Sequence, residues 1–279
     1  MILLGIKNIR LPYYQGFAAQ LAFYFLLSVV PAIILLSQLL GVFAIPLEII
    51  EDIVSEYVYG EAIETFRGII GQAPTGPMNA LFLLVALWSA SRVQFSMIRI
   101  MNLTMTDGQV KGGGFFKDRF KALKIILFTL FTITLALIIL VYGEMLLRIF
   151  FDPINRALQI EYEMGRLLHA MRWPAALLLY FFMVSYNYYA LPYEKVKFKD
   201  ILPGSIFASA AMLLVTFLYS IYMTYIASFD IIYGSLAIAV ALMFWFFFLA
   251  WALVLGIVFN KVFHETKNIN SGEAEHEDD

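Results

Sequence analysis

The amino-acid sequence predicts an all-α, polytopic membrane protein that crosses the bilayer with six transmembrane helices. Hydrophobic residues make up 62% of the chain and charged residues 14%, whereas soluble domains carry roughly 25% charged residues. The run from Leu21 to Ile45 contains no charged side chain, and roughly 20 apolar residues are enough for a helix to cross the hydrocarbon layer. Five similar runs follow it, and these observations together predict the fold class.

The six runs form one predicted transmembrane domain, residues 1–265. The predicted spans cover residues 17–45, 78–98, 125–143, 173–193, 201–229 and 231–260. Small residues in the first half of the fifth span, among them Gly204, Ser205 and Ala208, favour close contact with another helix. The remaining residues, 266–279, are acidic and polar, so we expect them to form a disordered cytoplasmic tail.

The segment between the first two spans predicts an amphipathic helix at the extracytoplasmic membrane surface. Ile49, Ile50, Ile53 and Tyr57 recur at helical spacing and are opposed by acidic side chains. The acids of this segment are Glu48, Glu51, Asp52, Glu56, Glu61 and Glu64. They lack the D-x-D-x-D-G spacing of a calcium loop, so we interpret them as a solvated helix face.

The distribution of lysine and arginine predicts the orientation of the chain. With the N-terminus inside, the cytoplasmic segments carry 13 of the 19 Lys and Arg residues and the opposite side carries 5. Cytoplasmic loops of membrane proteins are enriched in these two residues. We therefore expect a multi-pass protein of the plasma (inner) membrane with both termini in the cytoplasm.

Polar residues of the first span fall on one helical face. Gln20, Tyr24, Ser28, Pro31 and Gln38 follow one another at steps of 4, 4, 3 and 7. Pro31 lacks an N–H, leaves the carbonyl of Leu27 without its usual donor and is expected to kink the helix. The face is therefore either a packing surface with a structural kink or one wall of a polar path.

The second span carries a similar face, made by Ser89, Arg92, Ser96 and Arg99 at steps of 3, 4 and 3. Arg92 is the one charged residue inside the six runs, and a charge at mid-bilayer costs at least about 2.5–3.5 kcal/mol. It either snorkels towards the cytoplasmic interface or faces a wet cavity beside the polar face of the first span. In the second case it would favour an anionic head group.

The sequence lacks the motifs of several classes of enzyme and binding site. The chain has no cysteine, and its three histidines, His169, His264 and His276, form no H-x-H-x-D-H run. There is no G-x-S-x-G, and no G-K-[ST] follows the glycine triplet at 112–114. We interpret the basic segment 99–124 as a topology determinant that touches anionic lipid, not nucleic acid. We expect no enzyme activity, no metal, no cofactor and no nucleic-acid partner.

Four motifs carry a resemblance to a known family. AFYFLLSVVP, residues 22–31, resembles A-Y-Y-x-L-x-S-x-x-P. The other motifs are Met101-Asn102, Leu202-Pro203-Gly204, and Tyr233-Gly234-Ser235-Leu236 with Trp245 and Gly256. In this order, over roughly residues 10–263, they resemble the YihY/BrkB family of bacterial inner-membrane proteins, once labelled ribonuclease BN. In one departure, Val258 stands where the family's G-A-E-L-N has glutamate.

The resemblance implies six spans, both termini inside, and transport or export of an amphiphilic or lipid-like substrate. Two polar faces, a kinked first helix and Arg92 favour transport or flipping of an anionic lipid-like substrate, with membrane lipids as partners. Ordinary helix packing alone would suit a non-transporting scaffold protein, which is the alternative. Because Val258 replaces the glutamate and no acid lies inside a run, we expect no proton coupling through a buried carboxylate. The substrate, the energy source and the oligomeric state stay open.

Overall fold

The computed structural model describes residues 12–42, 77–135, 164–194, 196–225 and 235–277. Every regular element within these ranges is an α-helix, and none is a strand. In chain order the helices are α1 Pro12–Val42, α2 Pro77–Ala90, α3 Arg92–Met105, α4 over residues 115–135, α5 Met164–Ala190, α6 Phe198–Tyr225 and α7 Ser235–Glu277. The predicted all-α class is confirmed for this part of the chain.

Proline and glycine mark several helix boundaries. α1 and α2 each begin with a proline, which suits the first helical turn because the N–H it lacks would have no intrahelical partner there. α3 is followed by a turn in which Asp107, at φ 51°, and Gly108, at φ 84°, are left-handed. The N–H of Gly108 donates to the carbonyl of Leu103 at 2.8 Å, which satisfies one of the last carbonyls of the helix.

α2 and α3 are almost one helix, separated at Ser91. The N–H of Ser91 donates to the carbonyl of Leu87, and the N–H of Phe95 donates to the carbonyl of Ser91, both at 3.0 Å. The helical hydrogen-bond pattern therefore continues through the joint. The hydroxyl of Ser91 also donates to the carbonyl of Trp88 at 2.8 Å, and such a side-chain bond competes with the backbone ladder. The joint lies inside the predicted second span.

α7 lies at the centre of the bundle and packs against α6, α1 and α3. Its buried side chains include Ala250, Val254, Ile257 and Val258, which recur at the spacing of one helical stripe. α5 packs against α6, and its Tyr188 also reaches α7.

α4 packs against α1, α2 and α5. Ile126 and Leu130 form a small buried cluster with Ala90 of α2, and leucines of α1 pack against that cluster. The ring of Phe128 stacks on the ring of Tyr186 in α5, with 3.8 Å between the ring centres. The middle of α4 is consequently held against α2 and α5.

Large apolar side chains are exposed on the outside of the bundle. Leu84 of α2 is 64% exposed, Phe182 of α5 is 62% exposed and Phe244 of α7 is 60% exposed. Soluble monomers rarely expose wide apolar surfaces, whereas lipid tails are a suitable solvent for them. The surface of the bundle therefore suits a membrane.

Four helical stretches of the described residues are long and apolar enough to cross a membrane: Tyr13–Leu40, Ala80–Met105 (α2 and α3 taken together), Phe198–Tyr222 and Val240–Thr266. They correspond to the first, second, fifth and sixth predicted spans. The predicted third span, 125–143, is described to residue 135 in α4, and the fourth, 173–193, overlaps α5 from residue 173 to its end at Ala190. Those two crossings, and with them the count of six, stay predictions. The predicted amphipathic helix lies outside the described residues.

α7 extends as one helix to Glu277, past residue 265, where the sequence predicts the transmembrane domain to end. Its apolar, membrane-length stretch ends at Thr266. The change in composition therefore falls inside a helix, where the sequence predicts a disordered tail. The division into a domain and a tail stays a prediction.

Candidate functional site

The polar face predicted on α1 satisfies its buried hydroxyl within its own helix. Ser28 is buried, and its hydroxyl donates to the carbonyl of Tyr24 at 2.6 Å. Tyr24, Pro31 and Gln38 are half-buried, and α1 continues as one helix through Pro31. These contacts favour the packing interpretation for α1.

The polar face predicted on the second span divides at the α2–α3 joint. Ser89 of α2 is half-buried, and Ser96 of α3 is 2% exposed with no partner for its hydroxyl among the described residues. Arg92 and Arg99 are exposed. Ser96 is therefore enclosed by the bundle, whereas the two arginines reach its surface.

Arg119 lies buried against α2, although the sequence places it in a basic segment. Its guanidinium donates through Nη2 to the carbonyl of Trp88, and Cζ lies over the indole, 3.9 Å from the ring centre. Its Nε has no partner among the described residues. Arg119 starts a buried stripe that continues through Ala122, Ile126 and Leu130 at steps of 3, 4 and 4. That spacing is the signal in the sequence that could have identified Arg119 as a buried residue.

Three guanidinium groups lie near one another at the joint. The Cζ atoms of Arg99 and Arg119 are 4.5 Å and 5.6 Å from the centre of the same ring, that of Phe95. Burial lowers the pKa of Arg119 below its ordinary value, and the positive charge of Arg92 lowers it further. The ion pairs found in the described part of the chain involve none of these arginines. The joint thus concentrates positive charge without a described counter-charge.

Other buried polar atoms also have no partner within the described ranges. On α3 these include Oε1 of Gln94 and Oγ of Ser96, on α5 they include Oγ of Ser185 and Oδ1 of Asn187, and on α7 they include Nε1 of Trp245. A buried polar group without a hydrogen bond costs about 1–3 kcal/mol. Water or a ligand is the usual partner when the protein offers none. α3, α5 and α7 therefore present polar groups that can bind water or a polar ligand inside the bundle.

The motif residue Asn102 connects the end of α3 to the segment after α5. Its Nδ2 donates to the carbonyl of Ile98 at 2.6 Å and to the carbonyl of Leu191 at 3.4 Å. Its Oδ1 accepts a hydrogen bond from the N–H of Tyr193 at 2.9 Å. Asn102 is 1% exposed, so all of these bonds are shielded from solvent. The amide of this one residue therefore positions a segment from a different part of the chain.

The glycine triplet at 112–114 surrounds a carboxylate of its own chain. Oδ1 of Asp118 accepts from the N–H of Gly113 at 2.8 Å and from the hydroxyl of Tyr193 at 2.6 Å. A Cβ on Gly112 would overlap Asp118, and a Cβ on Gly113 would lie 2.7 Å from Tyr193 Cζ. The N–H of Gly113 is thus already used by a carboxylate of the same chain.

The motif glycines of α6 and α7 meet where these helices cross. A Cβ on Gly256 would lie 2.8 Å from the carbonyl oxygen of Gly204 and 2.7 Å from Cβ of Ala208. The hydroxyl of Tyr188 in α5 donates to a main-chain carbonyl of α7 at 2.6 Å. Pro203 lies inside α6, next to the crossing. These motif residues contribute close helix packing.

The remaining motif positions divide between the core and undescribed residues. Trp245 stacks on Tyr219, with 5.4 Å between ring centres, whereas Tyr233 and Gly234 lie outside the described residues. Val258 is 1% exposed in the apolar core, so a glutamate there would be enclosed by the bundle. Within the described ranges, histidine and acidic side chains form no group of three or more that could hold a metal ion.

The apolar outer surface and the tightly packed helices define a membrane-embedded helical protein. A family model described as virulence factor BrkB matches residues 8–279, and the chain belongs to this family. The resemblance found in the sequence is thereby confirmed.

Two relatives illustrate the similarity. The chain is 25% identical over 258 residues to a protein of Bacillus subtilis named as ribonuclease-like protein YfkH, covering 91% of this chain and 92% of the relative. It is 29% identical over 259 residues to a UPF0761 membrane protein of Chlorobium luteolum, covering 90% of this chain. The match covers 56% of that relative, so the chain spans about half its length. No solved structure matches the chain significantly.

Proposed function

We propose that the protein moves an anionic, lipid-like amphiphile between the two leaflets of the plasma membrane. The observation that carries this proposal is the set of buried polar atoms without partners on α3, α5 and α7. Hydrocarbon offers such groups no hydrogen bonds, and polar groups inside membrane bundles commonly mark substrate paths. Water or a head group passing Gln94 and Ser96 would supply the hydrogen bonds that these side chains lack.

The charge and the outer surface support the choice of substrate class. Arg92, Arg99 and Arg119 concentrate positive charge at one place on the bundle, which favours an anionic head group. The exposed apolar surface next to them suits acyl chains. Both features fit an amphiphile.

The proposal includes no catalytic step and places both termini in the cytoplasm. The ribonuclease-like name belongs to the Bacillus relative, and the basic segment of this chain is proposed to touch lipid, not nucleic acid. Because position 258 is a valine, the proposal also includes no proton relay through a carboxylate at that position.

A scaffold role without transport is the second candidate, and a specific observation favours it. Many hydroxyl groups of the bundle donate to carbonyls of their own helix, among them Ser28, Thr129, Ser205 and Ser209. Such groups are satisfied by ordinary helix structure and need no ligand. The two candidates therefore differ in what they require of Gln94 and Ser96.

The test is a flipping assay with the full chain reconstituted in liposomes. Phosphatidylglycerol with a fluorescent head group is bleached from outside by dithionite, and protein-free liposomes give the background. We expect the protein to make inner-leaflet label accessible. Gln94→Leu should slow this process without lowering thermal stability, because it removes an unpartnered atom, whereas Gln15→Leu on the exposed side of α1 should change nothing. A protein that leaves the inner-leaflet label protected would support the scaffold role.

A further inference from the structure

We propose that Arg119, together with Arg92 and Arg99, binds the phosphate of an anionic phospholipid at the α2–α3 joint. The site lies where the first turns of α4 cross that joint. This site rests on the proposed function and adds the head group that the protein recognises. Binding of lipid to the site can be measured without transport.

Arg119 has the features of a preformed anion-binding site. Its side chain is 5% exposed, and its orientation is set by the bond to the Trp88 carbonyl and by the indole face. Nε still has a free donor within the described part of the chain. A buried cation is costly unless it is paired, and no described carboxylate pairs with it. A bound anion would supply both the charge and the missing acceptor.

Phosphate suits this arrangement better than a single-point acceptor. A guanidinium presents several N–H donors in a plane and matches phosphate oxygens in pairs. Arg99 lies near the same Phe95 ring as Arg119, and the charge of Arg92 acts on Arg119. Two exposed arginines therefore add positive charge in the neighbourhood of the buried one.

The surroundings indicate that the phosphate belongs to a lipid. Phe115, Phe116 and Phe120 of α4 are 53%, 76% and 66% exposed, and Phe115 contacts Phe95 with 5.7 Å between ring centres. Exposed phenylalanines beside basic residues are typical of helices that lie where head groups meet acyl chains. A soluble phosphate ester would gain nothing from these rings.

The acidic residue next to Arg119 in sequence does not occupy this site. The carboxylate of Asp118 accepts from the N–H of Gly113 and from the hydroxyl of Tyr193. It is therefore directed to the glycine triplet. The arginines keep their charge available for an external anion.

The experiment measures lipid binding to the detergent-purified full chain by native mass spectrometry. We expect phosphatidylglycerol to bind in preference to phosphatidylcholine, and Arg119→Lys to weaken that binding about tenfold because the planar fork is lost. Arg92→Gln changes an exposed residue and should weaken binding while leaving folding intact. Lys124→Gln removes the same charge from an exposed position on a different face of α4 and should leave binding unchanged.

Three outcomes would overturn the site. The first is equal phosphatidylglycerol binding by the wild-type protein and by Arg92→Gln. The second is a loss of binding in Lys124→Gln as large as that in Arg92→Gln, because it would show that the lipid responds to diffuse surface charge. Displacement of the lipid by soluble glycerol phosphate at a similar concentration would assign the site to a free phosphate ester. Binding that depends on Arg92 and Arg119 in a protein that flips no lipid would keep the site and reject the proposed transport.

Discussion

The side-chain oxygen of Asn260 in α7 accepts a hydrogen bond from the N–H of Gly204 in α6, over 2.6 Å. Both residues are fully buried, and the carbonyl of Gly204 faces Gly256 across the same crossing. The Leu202-Pro203-Gly204 motif and the end of the last motif, around Gly256, therefore meet at one contact between helices. This contact fixes the position of α6 on the central helix of the bundle.

Gly204→Ala and Gly256→Ala should each destabilise the protein by at least about 1–3 kcal/mol, the usual effect of overpacking a core. A Cβ on either residue would overlap backbone or side-chain atoms of the neighbouring helices. The measurement is thermal unfolding in detergent. Gly16→Ala is the control, because a Cβ there meets nothing within 4 Å. Equal unfolding temperatures for Gly256→Ala and Gly16→Ala would show that the crossing is not tightly packed.

Asn102→Ala should destabilise the end of α3 by about 1–3 kcal/mol, since it leaves the N–H of Tyr193 without its buried acceptor. Asn187→Ala is the matched control, because the one bond found for its Nδ2 goes to Met183 of its own helix. We expect faster hydrogen exchange of the segment 190–193 in Asn102→Ala only. The same exchange rate in both variants would contradict the positioning role of Asn102.

Arg92→Lys should insert and fold normally but lose most of the flipping activity. The substitution keeps the charge at an exposed position and removes the planar fork that matches phosphate. Arg92→Leu should insert at least as well, because it removes the cost of a charge in the membrane, and should be inactive. The liposome assay measures both variants. Full activity of Arg92→Leu would make Arg92 an interfacial anchor and would exclude it from the transport path.

Pro31→Ala should raise thermal stability and leave flipping unchanged. Alanine restores a helical N–H and removes the strain of a proline within a helix, and the Ser28 hydroxyl nearby is already satisfied within α1. Unfolding temperature and flipping rate are measured on the same preparation. A loss of flipping at unchanged stability would favour the hypothesis that the kink forms a moving wall of the path.

Cysteine labelling should show both termini in the cytoplasm. The natural chain has no cysteine, so single cysteines can be labelled without background. Cysteines at positions 60 and 160 should react with an impermeant reagent from outside. Cysteines at positions 111, 197 and 272 should react only after permeabilisation. Lys111 and Lys197 are suitable positions because both side chains are exposed, whereas a side chain at Gly113 would overlap Tyr193. Labelling of Lys111 in intact cells would reverse the orientation.

Local patterns in the sequence correctly predicted the parts that depend on the membrane as a solvent. The uncharged run around Pro31 is helical over Pro12–Val42, and the small residues of the fifth span do face another helix at Gly204. The motif around Asn102 correctly identified the family. These properties follow from composition and spacing within a single helix, because each helix must satisfy its own backbone in lipid.

The candidate site could be predicted only in part. The sequence identified Arg92 and Ser96 as one polar face, but the structure exposes the first and buries the second, because the long arginine side chain extends out of the packed helices whereas the short serine side chain does not. Arg119 was assigned to a basic cytoplasmic segment that touches anionic lipid, since charge counting does not reveal which helix face is covered by a neighbour. Its spacing with Ala122 and Ile126 carried that information.

The sequence by itself determined that this chain is a helical membrane protein of the BrkB family, because hydropathy and motif order are local properties. Only the tertiary structure brought Arg119 to the carbonyl of Trp88, 31 residues away, and Gly204 to Asn260, 56 residues away. Contacts of this kind depend on how far each helix is rotated and shifted against its neighbours. That rotation and shift result from the packing of all the helices together, and no segment of the sequence specifies them alone.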